Sequence, residues 1–352
     1  MAIMNATGPQ YRTVEITGIK EEAENVKTFS LQPVDGTALT YTAGQFLTFV
    51  FTSGSREERR SYSFSSAPAL GEAPAITLKR VPNGLFSRQL TDRVQVGDRL
   101  SVIQPSGFFT LPEQIAGHRQ LFFFAAGVGI TPVFSIIKTA LHTQPQVSVV
   151  LFYSNRSVTD TVFYNELEAL QQRFGERLHI VYLFSTAKNL FRARLGKGLV
   201  PELLNEYATV PIAEQLYYLC GPFEYMRMVV LALEERGIPA AQVKKENFVT
   251  TTPRPRLTPP DTDAHQVHIQ FGGAQHTVTT QYPQTILQAA KKQGIALPYS
   301  CEAGQCGTCV ATCTRGKVWM SYNEVLTDAE IARGKILTCT GFPVGGDADI
   351  EA

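Results

Sequence analysis

Four cysteines constrain this chain more than any other feature. Cys301, Cys306 and Cys309 form a C-x4-C-x2-C run, and Cys339 follows after 29 further residues. That is the ligand spacing of a plant-type 2Fe–2S centre, in which a tight loop wraps two irons and a distant residue closes the cage. Gly304 and Gly307 suit such a loop, because a backbone bent around a metal core favours residues without a Cβ. A centre of this kind holds and releases single electrons, so the spacing points to electron transfer.

Rival uses of the thiols fit less well. Disulfide frameworks belong to short secreted chains, whereas this one has 352 residues. Its N-terminus shows no basic stretch followed by an apolar core, so no secretory signal is expected and the chain reads as cytoplasmic. Zinc sites usually join two close cysteine pairs, and Cys339 stands alone. Cys313, near Cys309, is a competing ligand on spacing, but is expected to be a small buried apolar residue, with Cys339 as fourth ligand.

Composition excludes several partners. The formal net charge is +1 with no extended basic run, which argues against nucleic acid. The longest apolar run, 121–130, is about half of what a bilayer requires, so no membrane span is expected.

The chain reads as multidomain. Residues 10–115 carry short alternating stretches such as Phe46–Phe51, punctuated by Gly44, Gly54, Pro68, Pro82, Gly97 and Pro105, which predicts an antiparallel β-barrel. Residues 116–250 switch to strand–helix alternation, with strands near 121–126, 147–153, 178–184 and 216–220 and helices at 132–141, 162–174 and 223–236. This predicts an α/β domain on a doubly wound parallel sheet. Four prolines within 251–263 mark a semi-rigid linker. Residues 264–352 form a small α+β domain holding all four ligands. It opens with strands at 267–271 and near 277–280 around Gly272-Gly273, then a helix over 285–293. His265 and His268, three apart on a strand, point to opposite faces and read as surface residues.

Three constellations carry chemistry. A hydrophobic strand runs into Gly127-Val-Gly129-Ile-Thr131-Pro132. Glycines there let the backbone approach a pyrophosphate, the following helix start offers free N–H groups, and proline suits the first helical turn. After the second strand stands Arg156, where an acidic residue would hold a ribose 2′-hydroxyl; an arginine favours a 2′-phosphate and hence NADPH over NADH. Cys220-Gly221-Pro222 ends a further parallel strand, where ligands bind in such sheets. In the barrel, Arg60-Ser61-Tyr62-Ser63 offers a guanidinium for phosphate, a ring to lie against isoalloxazine and a hydroxyl for its edge. A single-electron centre needs a partner that splits a hydride, and flavin is the usual converter.

These motifs, in this order, resemble the ferredoxin–NADP reductase-like flavoproteins fused to a C-terminal plant-type ferredoxin domain. The likeness spans residues 10–350. It is strongest to reductase components of bacterial oxygenases, especially the phenylacetyl-CoA epoxidase type. The resemblance implies a β-grasp ferredoxin domain and FAD rather than FMN. It implies that Arg60, Tyr62 and Ser63 bind the flavin, and that Lys79-Arg80-Val81 and Gly84 with Ser87 hold its ring and phosphate portion. Gly127, Gly129 and Pro132 take the pyridine nucleotide, and Gly221 and Pro222 the nicotinamide end. Thr131 and Cys220 flank the nicotinamide, and Phe248 of Glu246-Asn247-Phe248 contacts the flavin ring. The implied activity is an NAD(P)H-dependent reductase passing electrons through flavin and a 2Fe–2S cluster to a partner protein, a di-iron or other oxygenase. Two other classes share these motifs: an electron-transfer or redox-sensing subunit, and a free-standing diaphorase.

Overall fold

A computed structural model describes residues 11–53, 56–112, 115, 117–188, 192–248 and 257–352. The chain divides into two compact units, Met1–Phe248 and Val249–Ala352.

The first unit begins with six strands and a helix: β1 (Arg12–Ala23), β2 (Val26–Pro33), β3 (Phe46–Ser53), β4 (Arg56–Ser63), β5 (Ala75–Lys79), α1 (Leu85–Arg93) and β6 (Arg99–Ser106). The strands pair antiparallel in the order β4-β3-β6-β1-β2-β5. A bridge between Phe64 and Ile76 joins the two edges, so the sheet closes as the predicted barrel. Period-2 alternation turns Leu47, Phe49 and Phe51 of β3 into one core with Val14, Phe29 and Leu78. The sequence reading did not place α1. It adds Phe86 and Leu90, four residues apart on one helical face, to the same core.

The parallel sheet follows: β7 (Gln120–Ala126), α2 (Ile130–Thr143), β8 (Ser148–Asn155), α3 (Tyr164–Phe174), β9 (Leu178–Phe184), α4 (Leu199–Tyr207), β10 (Gln215–Cys220), α5 (Phe223–Glu235) and β11 (Val243–Glu246). Its order is β11-β10-β7-β8-β9, all parallel. Leu121 to Ala125 are wholly buried because both faces are covered. Leu121, Phe123 and Ala125 pack with α2, whereas Phe122 and Phe124 pack with α4 and α5. Helix α4 and strand β11 went unanticipated: α4 carries Pro201 in its first turn, which a helix tolerates, and β11 is only four residues long.

The second unit contains β12 (His265–Phe271), β13 (Ala274–Thr280), α6 (Ile286–Lys292), β14 (Val310–Arg315), β15 (Val318–Met320), α7 (Asp328–Ala332), β16 (Lys335–Leu337), β17 (Gly341–Pro343) and β18 (Ala348–Glu351). A mixed sheet, β13-β12-β18-β14-β16, packs against Ile286, Leu287 and Ala290 of α6, the arrangement expected of a β-grasp domain. Gly272 and Gly273, both at positive φ, make the hairpin turn, and a Thr285–Gln288 capping box starts α6. His265 and His268 pair with Asp261 and Thr277, at 2.7 and 3.0 Å. The proline-rich segment lies outside the described residues through 256. Beyond it, the Asp261 carboxylate accepts from the Gly345 N–H at 2.6 Å. Among the described residues no helix is long and apolar enough to cross a membrane.

Candidate functional site

Strand β7 lies where the sheet order reverses: its chain successor β8 is on one side and β10 on the other. In open parallel sheets this switch point, at the C-terminal strand ends, is where ligands bind. Two turns meet there. Gly127, at φ +54°, and Gly129 form a single 3-10 turn leading into α2. A Cβ on Gly129 would stand 2.2 Å from the Cys220 carbonyl oxygen and 2.9 Å from the Gly221 nitrogen. The Gly127–Gly129 and Cys220–Pro222 turns are thus in backbone contact, which only glycine allows. A Cβ on Gly127 meets nothing within 4 Å, so that backbone faces open space. Thr131 is buried and donates to the Val128 carbonyl at 2.8 Å, and Pro132 is buried beside it. The first turn of α2 has no side-chain cap, leaving N–H groups for an anion.

Sequence reasoning passed over two tyrosines here. The Tyr153 hydroxyl donates to the Gly127 carbonyl at 3.1 Å, and the Tyr225 hydroxyl to the Ala125 carbonyl at 3.3 Å. Each hydroxyl anchors backbone at or beside the glycine turn; the signals that could have found them were an aromatic two residues before the end of β8 and another three residues after Pro222. Arg156, just past β8, is exposed, and its guanidinium makes no ion pair among the described residues. Its carbonyl is held by Thr186, through N–H at 3.2 Å and Oγ1 at 2.8 Å.

In the barrel, Arg60 and Tyr62 share one face of β4. The Arg60 guanidinium lies 4.7 Å from the Phe86 ring centroid and pairs with Glu58 at 3.1 Å. Tyr62 is half-buried, edge-on to Phe49, and burial pushes its hydroxyl pKa up. Across from them, a tight turn leads from β5 into α1. Val81 N–H donates to Ser87 Oγ at 3.0 Å, and a Cβ on Gly84 would stand 2.5 Å from that same oxygen. Lys79 is exposed at the end of β5. Arg80 is committed elsewhere: its guanidinium grips Asp92 of α1 through contacts of 2.9–3.1 Å. Its side chain therefore fixes α1 rather than standing free for a phosphate.

A residue outside the predicted set joins the two domains of this unit. Glu246 pairs in register with Cys220 at the end of β11, and Ser63 Oγ donates to its carboxylate at 3.4 Å. Burial pushes the Glu246 pKa from 4.5 up to about 8, and burial with that neighbouring carboxylate pushes the Cys220 thiol well up. Phe248, two residues on, is exposed. Between about pH 4.5 and 8 the folded chain holds a proton that the unfolded chain has released, so this group makes stability fall as pH rises through that window. Glu246→Gln removes the dependence: between pH 5 and 9 its melting temperature is expected to decline less than the parent's. Parallel melting curves would remove Glu246 as the cause.

In the second unit the four thiols stand as two neighbouring pairs, Cys301 beside Cys306 and Cys309 beside Cys339. The Ala303 N–H donates to the Cys301 sulfur at 3.4 Å. The neighbouring Cys306 and Cys339 thiols pull Cys301 and Cys309, respectively, below the usual thiol range, while the adjacent sulfurs and burial raise Cys306 and Cys339. Among the described residues no group of three such side chains is arranged to hold a single ion. Two thiol pairs fit two irons instead. Gly304, at φ +72°, allows no Cβ, which would stand 2.7 Å from the Tyr322 carbonyl oxygen. Cys313 is only half-buried, and its thiol donates to the Arg315 carbonyl at 3.3 Å. The expectation of a buried apolar residue is corrected, since β14 leaves that position beside an exposed turn.

Three family models match in chain order: an oxidoreductase FAD-binding domain over 13–111, an oxidoreductase NAD-binding domain over 123–230, and a 2Fe-2S iron-sulfur cluster binding domain over 269–344. The ferredoxin reductase component of 3-ketosteroid-9-alpha-monooxygenase from Rhodococcus rhodochrous is 34% identical over 322 residues, 88% of each chain. One subunit of 1,2-phenylacetyl-CoA epoxidase from Escherichia coli (strain K12) is 30% identical over 349 residues, 97% of each chain. Among solved structures, phthalate dioxygenase reductase matches with TM-score 0.60 at 23% identity, covering 97% of this chain and 98% of that one. An intact type IV self-sufficient cytochrome P450 monooxygenase matches with TM-score 0.73 at 23% identity, and there 97% of this chain spans only 41% of the other. Those two structural likenesses speak to fold alone. With FAD-binding, NAD-binding and 2Fe–2S domains in order and relatives of 30% identity or more matched over nearly their whole length, the chain belongs to the family of flavin and iron–sulfur reductase components of oxygenases.

Proposed function

We propose that this reductase takes electrons from NADPH in preference to NADH and delivers them to an oxygenase on a separate polypeptide, of the phenylacetyl-CoA epoxidase type or another di-iron or related class. The observation that carries the reading is the arrangement of Cys301, Cys306, Cys309 and Cys339 as two thiol pairs, in a chain that also holds the nucleotide turn. When bound, FAD supplies the conversion of a hydride into single electrons, which the 2Fe–2S centre relays. The chain's own residues position and shield. Arg60 and the first turn of α1, shaped by Gly84 and Ser87 and braced by Arg80, hold the flavin's phosphates. Tyr62, Lys79, Val81 and Phe248 line its ring, and Ser63 meets its edge. Gly127, Gly129 and Pro132 shape the pyrophosphate cradle. Thr131, Cys220, Gly221 and Pro222 seat the nicotinamide and keep water out, since close approach is what hydride transfer needs. Glu246, held neutral by burial at pH 7, keeps a negative charge away from the nicotinamide while accepting from Ser63. The domain bounds proposed are 10–115, 116–250 and 264–352, with 251–263 as the link.

Steady-state reduction of cytochrome c with NADPH and with NADH tests the reading. The parent chain is expected to reduce cytochrome c with NADPH at the lower KM. In Arg156→Glu the NADPH KM should rise roughly tenfold or more, the scale of a lost charge-assisted phosphate contact, with NADH little changed. Unaltered selectivity would return Arg156 to an ordinary solvated arginine. Stimulation of turnover by a purified oxygenase separates this reading from a free-standing diaphorase, whose rate no oxygenase alters.

A further inference from the structure

Helix α2 supplies the nucleotide cradle at its first turn and is gripped by the flavin barrel further along. The grip sits on the segment that follows Ser63. Ser135 Oγ donates to the Ser66 carbonyl at 2.5 Å, and Ile136 packs where a Cβ on Gly44 would stand 2.7 Å away. The same helix carries a charge that no cofactor role uses. Lys138 is only 9% exposed, and its ammonium lies 4.4 Å from the Phe134 ring centroid. It donates to Glu72 at 2.5 Å, and the same Glu72 oxygen accepts from the Ala67 N–H at 2.7 Å. One carboxylate thus ties the nucleotide helix to the backbone four residues beyond the flavin-strand serine.

We propose that the Lys138–Glu72–Ala67 link is a positioning device for hydride transfer, setting the register of the α2 cradle against the flavin strand β4. An ion pair with a buried ammonium and a carboxylate that also accepts a backbone hydrogen bond has a more defined geometry than an apolar contact that slides. Loss of Glu72 leaves the Lys138 ammonium buried without that carboxylate, and loss of Lys138 frees the part-exposed Glu72 from the helix; in either case the helix is no longer held at this point. Small misplacements of reacting atoms are costly: a shift on the order of 1 Å can lower a rate about a hundredfold. Lys138 touches no substrate in this scheme, so its effect falls on the transfer step and not on binding. The inference rests on the proposed nucleotide and flavin sites.

The test is anaerobic stopped-flow reduction of the FAD- and iron–sulfur-loaded chain by NADPH, in Lys138→Met, Glu72→Gln and the double variant. Each single variant is expected to retain FAD and to bind NADP+ within about twofold of the parent. Flavin bleaching at saturating NADPH should slow about tenfold or more, and the isotope effect with 4-deuterated NADPH should increase. Because the two groups act as a unit, the double variant should be no slower than the slower single one. Parent-like bleaching in both singles, loss of rate only in proportion to lost FAD, or independent multiplying losses would each overturn the proposal. A parent chain whose flavin neither NADPH nor NADH bleaches would instead sink the functional reading on which it rests.

Discussion

Cys339→Ser is expected to lose the iron–sulfur absorbance and to reduce cytochrome c about a hundredfold more slowly or worse, while flavin bleaching by NADPH stays near the parent rate. The reason lies in the pairing. Cys339 is the thiol paired with Cys309, so removing it takes one of two ligands from one proposed iron position. The first unit contains none of these groups and should fold and bind FAD unaffected. Ferricyanide, which takes electrons from flavin directly, serves as the internal control. Cys313→Ser is the matching control within the second unit. Its thiol faces the Arg315 carbonyl and belongs to neither pair, so the variant should keep colour and turnover. Cluster retention in Cys339→Ser, with loss in Cys313→Ser, would overturn the ligand assignment.

The second large effect concerns Gly129. A valine there drives its Cβ to 2.2 Å from the Cys220 carbonyl oxygen, and because the obstacle is backbone on a central strand it cannot swing aside. The two turns must part, opening the proposed cradle and the proposed nicotinamide seat together. Reduction of the flavin by NADPH in Gly129→Val is expected to slow about a hundredfold, with weakened NADP+ binding. Chemical reduction by dithionite, which needs no nucleotide site, should proceed as in the parent. Gly127→Ala offers the contrast. Gly127 has positive φ but open space around it, so that variant carries backbone strain on the order of 1 kcal/mol and no clash. It should lose far less activity. Equal losses at both positions would mean that the contact with Cys220 is not what makes Gly129 necessary.

The parts of the chain legible from sequence are those whose chemistry is local. A C-x4-C-x2-C loop with Gly304 at positive φ declares its own geometry, and so does a buried strand entering Gly127-Val-Gly129 before a helix. The Thr285–Gln288 capping box and the Gly272-Gly273 turn are likewise written within a few residues. Elements with weaker local signals were passed over: α1 starts at a glycine without a side-chain cap, and α4 begins without one and carries a proline in its first turn. Arg80 shows the limit in another way. Its place in a flavin motif is visible, but its engagement with Asp92 appears only once α1 folds back on β5.

What the amino-acid order determined unaided is the inventory: four cysteines in a ligand spacing, a glycine turn between strand and helix, the Arg60–Ser63 tetrad and the order of three domains. Only the tertiary structure decided how those parts meet. Ser63 reaches Glu246 across 183 residues of chain, and Lys138 reaches Glu72 across 66. Neither contact leaves a periodic or spacing signal. Each exists because the closed barrel packs the end of β4 and the segment after it against the parallel sheet and its helix α2, where burial, not sequence proximity, sets the charge and position of a side chain.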